Sequence, residues 1–431
     1  MSNDHRLQRL TRRDVLATSA AFGASMLAGV PALAGTDQFT EWGYRLPYKT
    51  VSKKSLDWLK SRGWLPLTIG HFADLPGYAG SYAVMRDLNL LAKRGLDAKF
   101  VSFLSGPPIL EAFIGGHTQA TGYGDLPFWT TIARGNPAVV YGITAPNYDA
   151  AMFVPNNSPL HSIQDFKSQS KPVVIGTLLG SFLEFYILAA AKATGLEVGK
   201  HYTLAGVSLR DAQYMPGGLD AVVTYDPFSS VMRQKKVGRE IDNVFPYYFN
   251  TGYDFVKRDI HENAPDVVQA LADAMLEATL YTRYDINKAV EMYWSNPQVQ
   301  SIYPKELFLA QTQQYVTLYK PTYRYPHVDF WTKQDVGLIE LQFQKKRIPK
   351  SLTIFQMKSI FEPKYMASAL SDLGFSIPSR PVFLPKGWKG SVSNPPYPPY
   401  DNFTTLKEPQ NFPQAGDLRR AWTFAGKTYR A

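Results

Sequence analysis

The sequence of 431 residues contains no cysteine. Disulfide bonds, a zinc–thiolate site, a cysteine nucleophile and a lipid-anchored cysteine are therefore excluded. Three patterns typical of enzymes are also missing, namely the Gly-x-Ser-x-Gly nucleophile elbow, the complete phosphate-binding loop Gly-x-x-x-x-Gly-Lys-Ser/Thr and the dinucleotide-binding glycine pattern. No motif of the chain argues for catalysis, and we expect a protein that is not an enzyme.

Histidine pairs and long apolar runs are scarce as well. The histidines at 117, 161, 201, 261 and 327 form no i, i+3 or i+4 pair with one another, so we predict no metal and no cofactor. Outside the N-terminus, no window holds the roughly 18 uninterrupted apolar residues that a membrane-spanning helix needs. We therefore expect the mature chain to be soluble.

The charge balance is basic, with 46 Lys and Arg against 36 Asp and Glu. Such a surplus can attract acidic ligands, or it can serve solubility alone. The densest basic run is Lys345-Lys346-Arg347, which is too short for a nucleic-acid interface. We predict no nucleic-acid partner.

The length favours two or three compact units, and 45% hydrophobic residues are ample for sizeable cores. The N-terminus is a separate element, in which Arg12-Arg13 precedes a mildly apolar run and then Ala32-Leu33-Ala34. This pattern is typical of a twin-arginine export signal covering residues 1–34, although Val15 stands where phenylalanine is usual. The alternative is a basic first turn on an ordinary helix. An export signal predicts a protein that is free in the periplasm.

The rest of the chain alternates strand and helix patterns. Strand candidates at residues 65–70, 97–103 and 118–123 each lead into a loop, and the second and third lead into helices that begin at Ser105-Gly106 and Gly124-Asp125. A second unit starts near residue 150 and includes a strand at 173–176. Its helix begins at Gly180-Ser181, where Ser181 and Glu184 have the spacing of a capping box.

Four segments together resemble a known family. They are Ser105-Gly106-Pro107-Pro108-Ile109-Leu110-Glu111-Ala112, Thr121-Gly122-Tyr123-Gly124-Asp125-Leu126-Pro127, Gly180-Ser181-Phe182, and Asp220-Ala221-Val222-Val223-Thr224-Tyr225-Asp226-Pro227. In this order and spacing, over residues 66–375, the chain resembles the periplasmic solute-binding proteins of ABC importers for sulfonates, taurine and nitrate.

The resemblance implies an α/β, two-lobed type II periplasmic-binding-protein fold. Each lobe would be a mixed sheet flanked by helices, with the ligand cleft between the lobes. Lobe 1 would comprise residues 65–146 and 229–375, and lobe 2 residues 147–228. Residues 35–64 would be an N-terminal extension, and 376–431 a tail rich in proline and aromatic residues. The expected partners are a small organic anion and the permease and ATPase subunits of an inner-membrane importer, and the expected state is a monomer.

The candidate site follows from the same resemblance and from the preference of oxyanions for helix N-termini, where backbone N–H groups lack partners. It comprises the loop after the first strand and the helix starts of both lobes. The ligand-binding candidates are His71, Phe72, Asp74, Leu75, Ser105, Gly106, Gly124, Asp125, Gly180, Ser181, Phe182, Tyr225 and Asp226.

Several roles stay open at this point. The serines can be ordinary helix caps. Because a carboxylate repels an anion, Asp125 fits better as a cap whose neighbouring amides face the ligand, and Asp226 as a hinge residue. Phe182 stands where the family often has a small residue, which favours an aromatic or bulky anion.

Two other functions remain as alternatives. One is a periplasmic enzyme of the same fold that acts on an aromatic anion, with His71 as base. The aromatic sulfinate desulfinases of this fold use a cysteine nucleophile, which this chain lacks. The other is a ligand-sensing subunit that docks on a membrane receptor.

Overall fold

The computed structural model describes residues 38–373, except 74–78, 145–149, 245–246, 249–250, 302, 319–323 and 326–328, together with 422–424 and 427–429. The predicted export signal lies outside the described residues, and so does the predicted tail apart from its two short strands. None of the helices in the described part has the length and the apolar character needed to span a membrane.

The strands, in chain order, are β1 (Gln38–Phe39), β2 (Arg45–Leu46), β3 (Leu67–Phe72), β4 (Ala98–Phe103), β5 (Ala120–Gly124), β6 (Ala138–Thr144), β7 (Ala150–Val154), β8 (Val173–Thr177), β9 (Tyr202–Gly206), β10 (Ala221–Tyr225), β11 (Arg239–Asn243), β12 (Gly252–Lys257), β13 (Arg324–Tyr325), β14 (Trp422–Phe424) and β15 (Lys427–Tyr429). Two antiparallel pairs stand apart from the main sheets, β1 with β2 and β14 with β15.

The helices are α1 (Lys53–Ser61), α2 (Gly80–Asp87), α3 (Gly106–Ile114), α4 (Asp125–Ala133), α5 (Phe182–Thr194), α6 (Leu209–Ala212), α7 (Phe228–Lys235), α8 (Arg258–Asn263), α9 (Pro265–Tyr284), α10 (Ile286–Trp294), α11 (Pro297–Gln300), α12 (Lys305–Leu318), α13 (Asp329–Gln344), α14 (Ile354–Lys358) and α15 (Lys364–Asp372). Short 3-10 helices cover Ala92–Arg94 and Ile163–Ser168. Gly95 ends the first of these 3-10 helices with a φ of 73°.

In the described part of the chain, six strands form the larger sheet in the order β13-β6-β12-β5-β3-β4. β3 is parallel to β4 and β5, whereas β12 is antiparallel to β5 and β6. The carboxyl ends of β3, β4 and β5 therefore lie at one edge. The twenty-residue helix α9 has fifteen buried residues and packs against α2 and α15, so it forms the core of this lobe.

Five of the described strands form the smaller sheet, in the order β11-β7-β10-β8-β9. β8 is parallel to β9 and β10, and β7 is antiparallel to β10 and β11. Two mixed sheets flanked by helices confirm the predicted fold class. We refer below to the large and the small lobe by these sheets.

The chain passes to the small lobe between β6 and β7, as predicted, but it returns to the large lobe at a different place from the one predicted. The return to the large lobe was expected at residue 228, but β11 pairs with β7 in the small sheet. The second crossover is therefore the segment 244–251, between β11 and β12. Sequence patterns missed this because β11, Arg-Glu-Ile-Asp-Asn, has polar side chains at most positions and is only half-buried.

The N-terminal extension packs over a buried ion pair of the large lobe. Nη2 of Arg94 donates to Oε2 of Glu277 at 2.7 Å, and both side chains have no exposed surface. The guanidinium lies 4.8 Å from the ring centroids of both Tyr44 and Tyr48. Trp42 Nε1 and the Tyr48 hydroxyl donate to the other oxygen of Glu277 at 3.0 and 2.9 Å. Side chains of the extension thus enclose a charge pair of the lobe.

Replacing Arg94 with methionine is expected to destabilise the mature chain strongly. The substitution leaves the Glu277 carboxylate buried without its cation, and breaking a buried pair in this way costs about 3–5 kcal/mol. Urea unfolding measures the change. Lys200→Met, which breaks an exposed pair with Glu197, is the control and should change stability far less. Equal effects of the two substitutions would show that burial of the Arg94 pair is unimportant.

Candidate functional site

Four candidate segments lie where strands end and helices begin. β4, β5 and β8 lead into α3, α4 and α5, and β10 leads into the turn before α7. Because ligands of open α/β sheets bind outside the carboxyl ends of parallel strands, these helix starts are the expected place for a site.

Direct contacts bring three of the helix starts together. A Cβ on Gly106 would lie 3.0 Å from Cγ of Pro127, so α3 begins against the first turn of α4. The hydroxyl of Tyr248, on the second crossover, donates to Asp125 in α4. The ring of Tyr248 lies 6.4 Å from that of Phe182 and 4.8 Å from that of Phe185 in α5. Tyr248 therefore links the α4 start of the large lobe with the α5 start of the small lobe.

The start of α3 retains few donors. An α-helix leaves its first four N–H groups without intrahelical partners, but Pro107 and Pro108 have no N–H. The amides of Ser105 and Gly106 remain. The half-buried Ser105 is the N-cap residue, yet its hydroxyl makes no capping bond to the helix. This end of α3 can therefore offer two amides and one hydroxyl to a ligand.

The start of α4 offers no comparable donors. The amide of Asp125 donates to the carbonyl of Thr251 at 2.9 Å, and the amide of Leu126 donates to the Asp125 carboxylate at 2.7 Å. Pro127 has no N–H. The prediction that amides beside Asp125 face the ligand is therefore wrong, because the crossover and the aspartate itself use them. Gly124 lies next to open space, since a Cβ there would have no neighbour within 4 Å.

Asp125 itself is fully buried and serves the crossover. One of its carboxylate oxygens accepts from the Tyr248 hydroxyl and from the Thr251 amide, the latter at 3.1 Å. Burial raises the pKa of Asp125 to about 7, although the hydrogen bonds from Tyr248 and Thr251 lower it in part. The side chain is thus bonded to the segment that joins the two lobes.

The start of α5 uses its serine as a cap. The Ser181 hydroxyl accepts from the Leu183 amide at 3.2 Å and donates to the Leu178 carbonyl at 2.7 Å. Gly180 has a φ of 77°, which favours glycine, and its amide donates to Glu184 at 3.0 Å. The predicted capping box is therefore wrong in one partner, because Glu184 accepts from Gly180 and not from Ser181. The amides of Ser181 and Phe182 remain for a ligand.

Two of the candidate aromatic residues, Phe182 and Tyr225, pack on each other. The rings of Phe182 and Tyr225 lie 5.4 Å apart, and the side chains are only 8% and 6% exposed. Tyr225 also contacts Phe228, which lies 5.3 Å from Tyr303 of the large lobe. These rings form an aromatic row between the lobes, so a ligand can touch only their exposed edges.

Asp226 caps a helix of the small lobe. One carboxylate oxygen accepts from the Ser229 hydroxyl at 2.5 Å, and from the amide and hydroxyl of Ser230 at 3.1 and 2.7 Å. The residue precedes α7, which lies before β11 and so within the small lobe. The prediction of a hinge role for Asp226 is wrong, because the crossover lies further along the chain.

The first-strand candidates are buried or outside the described part. His71 lies at the end of β3 with 1% exposure, its Nδ1 lies 2.7 Å from the Phe72 carbonyl, and its ring stacks on Tyr82 at 5.4 Å. Phe72 is 8% exposed and faces Gly106. Asp74 and Leu75 lie outside the described residues. Within the described residues, no group of three side chains is suited to hold a metal ion.

Sequence reasoning missed Tyr248. No local pattern marks it, because its partner Asp125 lies 123 residues earlier. Tyr248 lies in the second crossover because β11, which precedes it, pairs with β7 in the small sheet. An aromatic residue beside a crossover is a signal that can be used only after the topology is known.

The free energy of unfolding is expected to depend on pH through Asp125. A carboxyl whose pKa is higher in the folded chain contributes most below its unfolded pKa of about 4 and loses that contribution as the pH rises towards 7. The unfolding free energy of the wild type minus that of Asp125→Asn should therefore fall by on the order of 2–4 kcal/mol between pH 4 and pH 8. Denaturant unfolding at several pH values measures the difference.

A second variant sharpens this pH test. Tyr248→Phe removes a hydrogen bond that lowers the pKa of Asp125, so the fall should extend to higher pH. A difference between wild type and Asp125→Asn that stays constant over the range would contradict the raised pKa.

Comparison with known proteins adds to this geometry. No model of a protein family matches the sequence. One relative is the putative aliphatic sulfonates-binding protein of Escherichia coli (strain K12), 26% identical over 215 residues. The match covers 47% of this chain and 64% of the relative, which is less than two thirds of that protein's length.

Solved structures extend the likeness. The alkanesulfonate-binding protein of Xanthomonas axonopodis pv. citri, bound to MOPS, has a TM-score of 0.56 at 20% identity and covers 69% of this chain and 97% of its own. The periplasmic aliphatic sulphonate-binding protein of Escherichia coli matches with a TM-score of 0.56 at 21% identity, over 68% of this chain and 96% of that protein. The periplasmic nitrate-binding protein of Synechocystis PCC 6803 matches with a TM-score of 0.55 at 15% identity, over 71% of this chain and 88% of that protein. The chain therefore has the two-lobed periplasmic-binding-protein fold of these sulfonate- and nitrate-binding proteins.

Proposed function

We propose that this protein is the periplasmic solute-binding component of an ABC importer and that it captures a small organic anion between its lobes. One observation carries the proposal. Among the described residues, the amides of Ser105 and Gly106 on the large lobe and of Ser181 and Phe182 on the small lobe have no protein acceptor. The start of α4 connects these two helix starts, through Pro127 on one side and Tyr248 on the other. A two-lobed clamp for an anion needs donors on both sides.

The arrangement suits a sulfonate or carboxylate group. Closure removes the anion from water and replaces its hydration with amide dipoles at the N-termini of α3 and α5. The Ser105 hydroxyl adds a donor, whereas the Ser181 hydroxyl proton is used by Leu178. The membrane subunits of the importer would bind the closed form.

Phe182 gives the organic part of the anion a contact. It supplies one of the amides, and its ring forms one end of the interlobe aromatic row. We propose an aromatic or bulky anion on this basis. The alternative of an enzyme with His71 as base gains no support from the site, because that imidazole is buried and bonded to the backbone.

We also propose export through the twin-arginine pathway, which rests on Arg12-Arg13 and the Ala32-Leu33-Ala34 end. Replacing both arginines with lysine should abolish export, because that pathway reads the arginine pair. Fractionation of cells followed by immunoblotting measures the periplasmic share. Undiminished periplasmic protein in the double variant would exclude this route.

Ligand binding is expected to stabilise the mature chain, residues 35–431. A ligand at about 100 times its dissociation constant adds about 2.7 kcal/mol. Thermal unfolding against MOPS, aryl sulfonates, aryl carboxylates, taurine, nitrate and sulfate should show the largest rise in midpoint with the aryl anions. The largest rise with taurine or nitrate would refute the aromatic preference, and no rise with any anion would refute the anion site.

The serines provide the matched test of the same prediction. Ser105→Ala should weaken binding of the best anion more than Ser181→Ala, because the Ser181 hydroxyl already donates its proton to the Leu178 carbonyl, whereas the Ser105 hydroxyl has no acceptor among the described residues. Ser162→Ala, at a cap elsewhere in the small lobe, is the control. Isothermal titration calorimetry measures the affinities. Equal loss from Ser105→Ala and Ser162→Ala would argue against the site.

A further inference from the structure

An ion-pair cluster connects the two lobes beside the proposed site. The carboxylate of Glu184, in the first turn of α5, accepts from Nζ of Lys345 at 2.5 Å and from Nη1 of Arg347 at 2.6 Å. The Glu184 side chain is 2% exposed, and those of Lys345 and Arg347 are 30% and 35% exposed. Burial alone would raise the pKa of Glu184, but the hydrogen bonds from the two cations lower it to about 2, so the carboxylate is charged at neutral pH.

The cations belong to the large lobe. Lys345 and Arg347 directly follow α13, and their amides donate back into that helix. α13 packs against α4, and its Asp335 accepts from Nε1 of Trp129 at 2.6 Å and from the hydroxyl of Tyr253 in β12. α5 belongs to the small lobe. The contact of Glu184 with Lys345 and Arg347 therefore spans the two lobes.

The same carboxylate holds a loop of the proposed site. The oxygen of Glu184 that meets Arg347 also accepts from the Gly180 amide at 3.0 Å. Gly180 precedes Ser181 and Phe182, whose amides are the small-lobe donors of the site. We call residues 180–182 the ligand loop. The side chain of Glu184 thus contacts the large lobe and the ligand loop at the same time.

We propose that Glu184 is a positioning residue that couples the angle between the lobes to the shape of the ligand loop, through Lys345 and Arg347. This proposal rests on the proposed function. Separation of the lobes breaks the hydrogen bonds to the cations, because they tolerate only small changes in distance. The contact therefore favours the closed arrangement before any ligand binds, and it raises ligand affinity in proportion to the closed fraction.

The first test needs no ligand and uses the absence of cysteine. Lys60→Cys, on the N-terminal extension that packs on the large lobe, and Lys200→Cys on the small lobe allow attachment of two spin labels, since both positions are exposed. Double electron–electron resonance then measures the interlobe distances of the ligand-free chain. The combined Lys345→Gln and Arg347→Gln variant should populate longer distances than the parent, and Glu184→Gln should do the same while it keeps an acceptor for Gly180.

Two further variants serve as controls. Glu240→Gln breaks the pair between Glu240 and Arg233, which are 32% and 34% exposed and lie within the small lobe. Its distances should match those of the parent. The second control replaces Arg347 with lysine in place of glutamine in the chain that carries Lys345→Gln. This chain keeps one cation for Glu184 and should show shorter interlobe distances than the combined variant. Unchanged distances in Glu184→Gln and in the combined variant would overturn the proposal, whatever the ligand is.

The second test measures affinity for the anion that stabilises the chain most in the thermal experiment. The combined variant should bind it about tenfold more weakly, as a tenfold smaller closed fraction requires, and Glu240→Gln should bind it as the parent does. Longer distances with unchanged affinity would refute the coupling to the ligand loop. Longer distances in a chain that binds no anion would leave the tie between the lobes standing and overturn the proposed function instead.

Discussion

The hydrogen bond from Tyr248 to the buried Asp125 is the contact on which the arrangement of the site depends. It joins the second crossover to the first turn of α4, and the ring of Tyr248 extends the same connection to Phe182 and Phe185 in α5. A buried carboxylate needs donors because desolvation penalises its charge. Asp125 obtains them from Tyr248 and Thr251, in the segment that links the lobes. These hydrogen bonds hold the starts of α4 and α5 in place relative to each other.

The hydrogen bonds of Asp125 also affect which backbone amides are left for a ligand. The helix α4 gives its first amides to Thr251 and to Asp125, and it has a proline at the next position. The helices α3 and α5 each keep two amides, because Pro107 and Pro108 have no N–H in α3 and because the Leu183 and Glu184 amides donate to Ser181 in α5. The proposed anion site therefore uses one helix start on each lobe.

The acidic residues near the cleft are bonded to protein groups. Asp226 is satisfied by Ser229 and Ser230, and Glu184 by Lys345, Arg347 and Gly180. A carboxylate whose oxygens are bonded to protein donors presents less of its charge to a ligand. The cationic run Lys345-Lys346-Arg347 is too short for a nucleic-acid interface. Two of its residues, Lys345 and Arg347, instead form a contact between the lobes.

Local sequence patterns predict the alternation of strands and helices, the helix starts at Ser105, Gly124 and Ser181, and the α/β class, because caps, glycines and apolar periodicity act over a few neighbouring residues. The place of the second crossover follows only from the packing of the chain, since β11 has too few apolar residues to be recognised without its partner β7. The packing also determines which donors are free and which acids are paired. Asp125 and Tyr248 are 123 residues apart, and Glu184 and Arg347 are 163 apart. Hydrogen bonds over such separations follow from how the sheets and helices pack, and a linear pattern carries no trace of them.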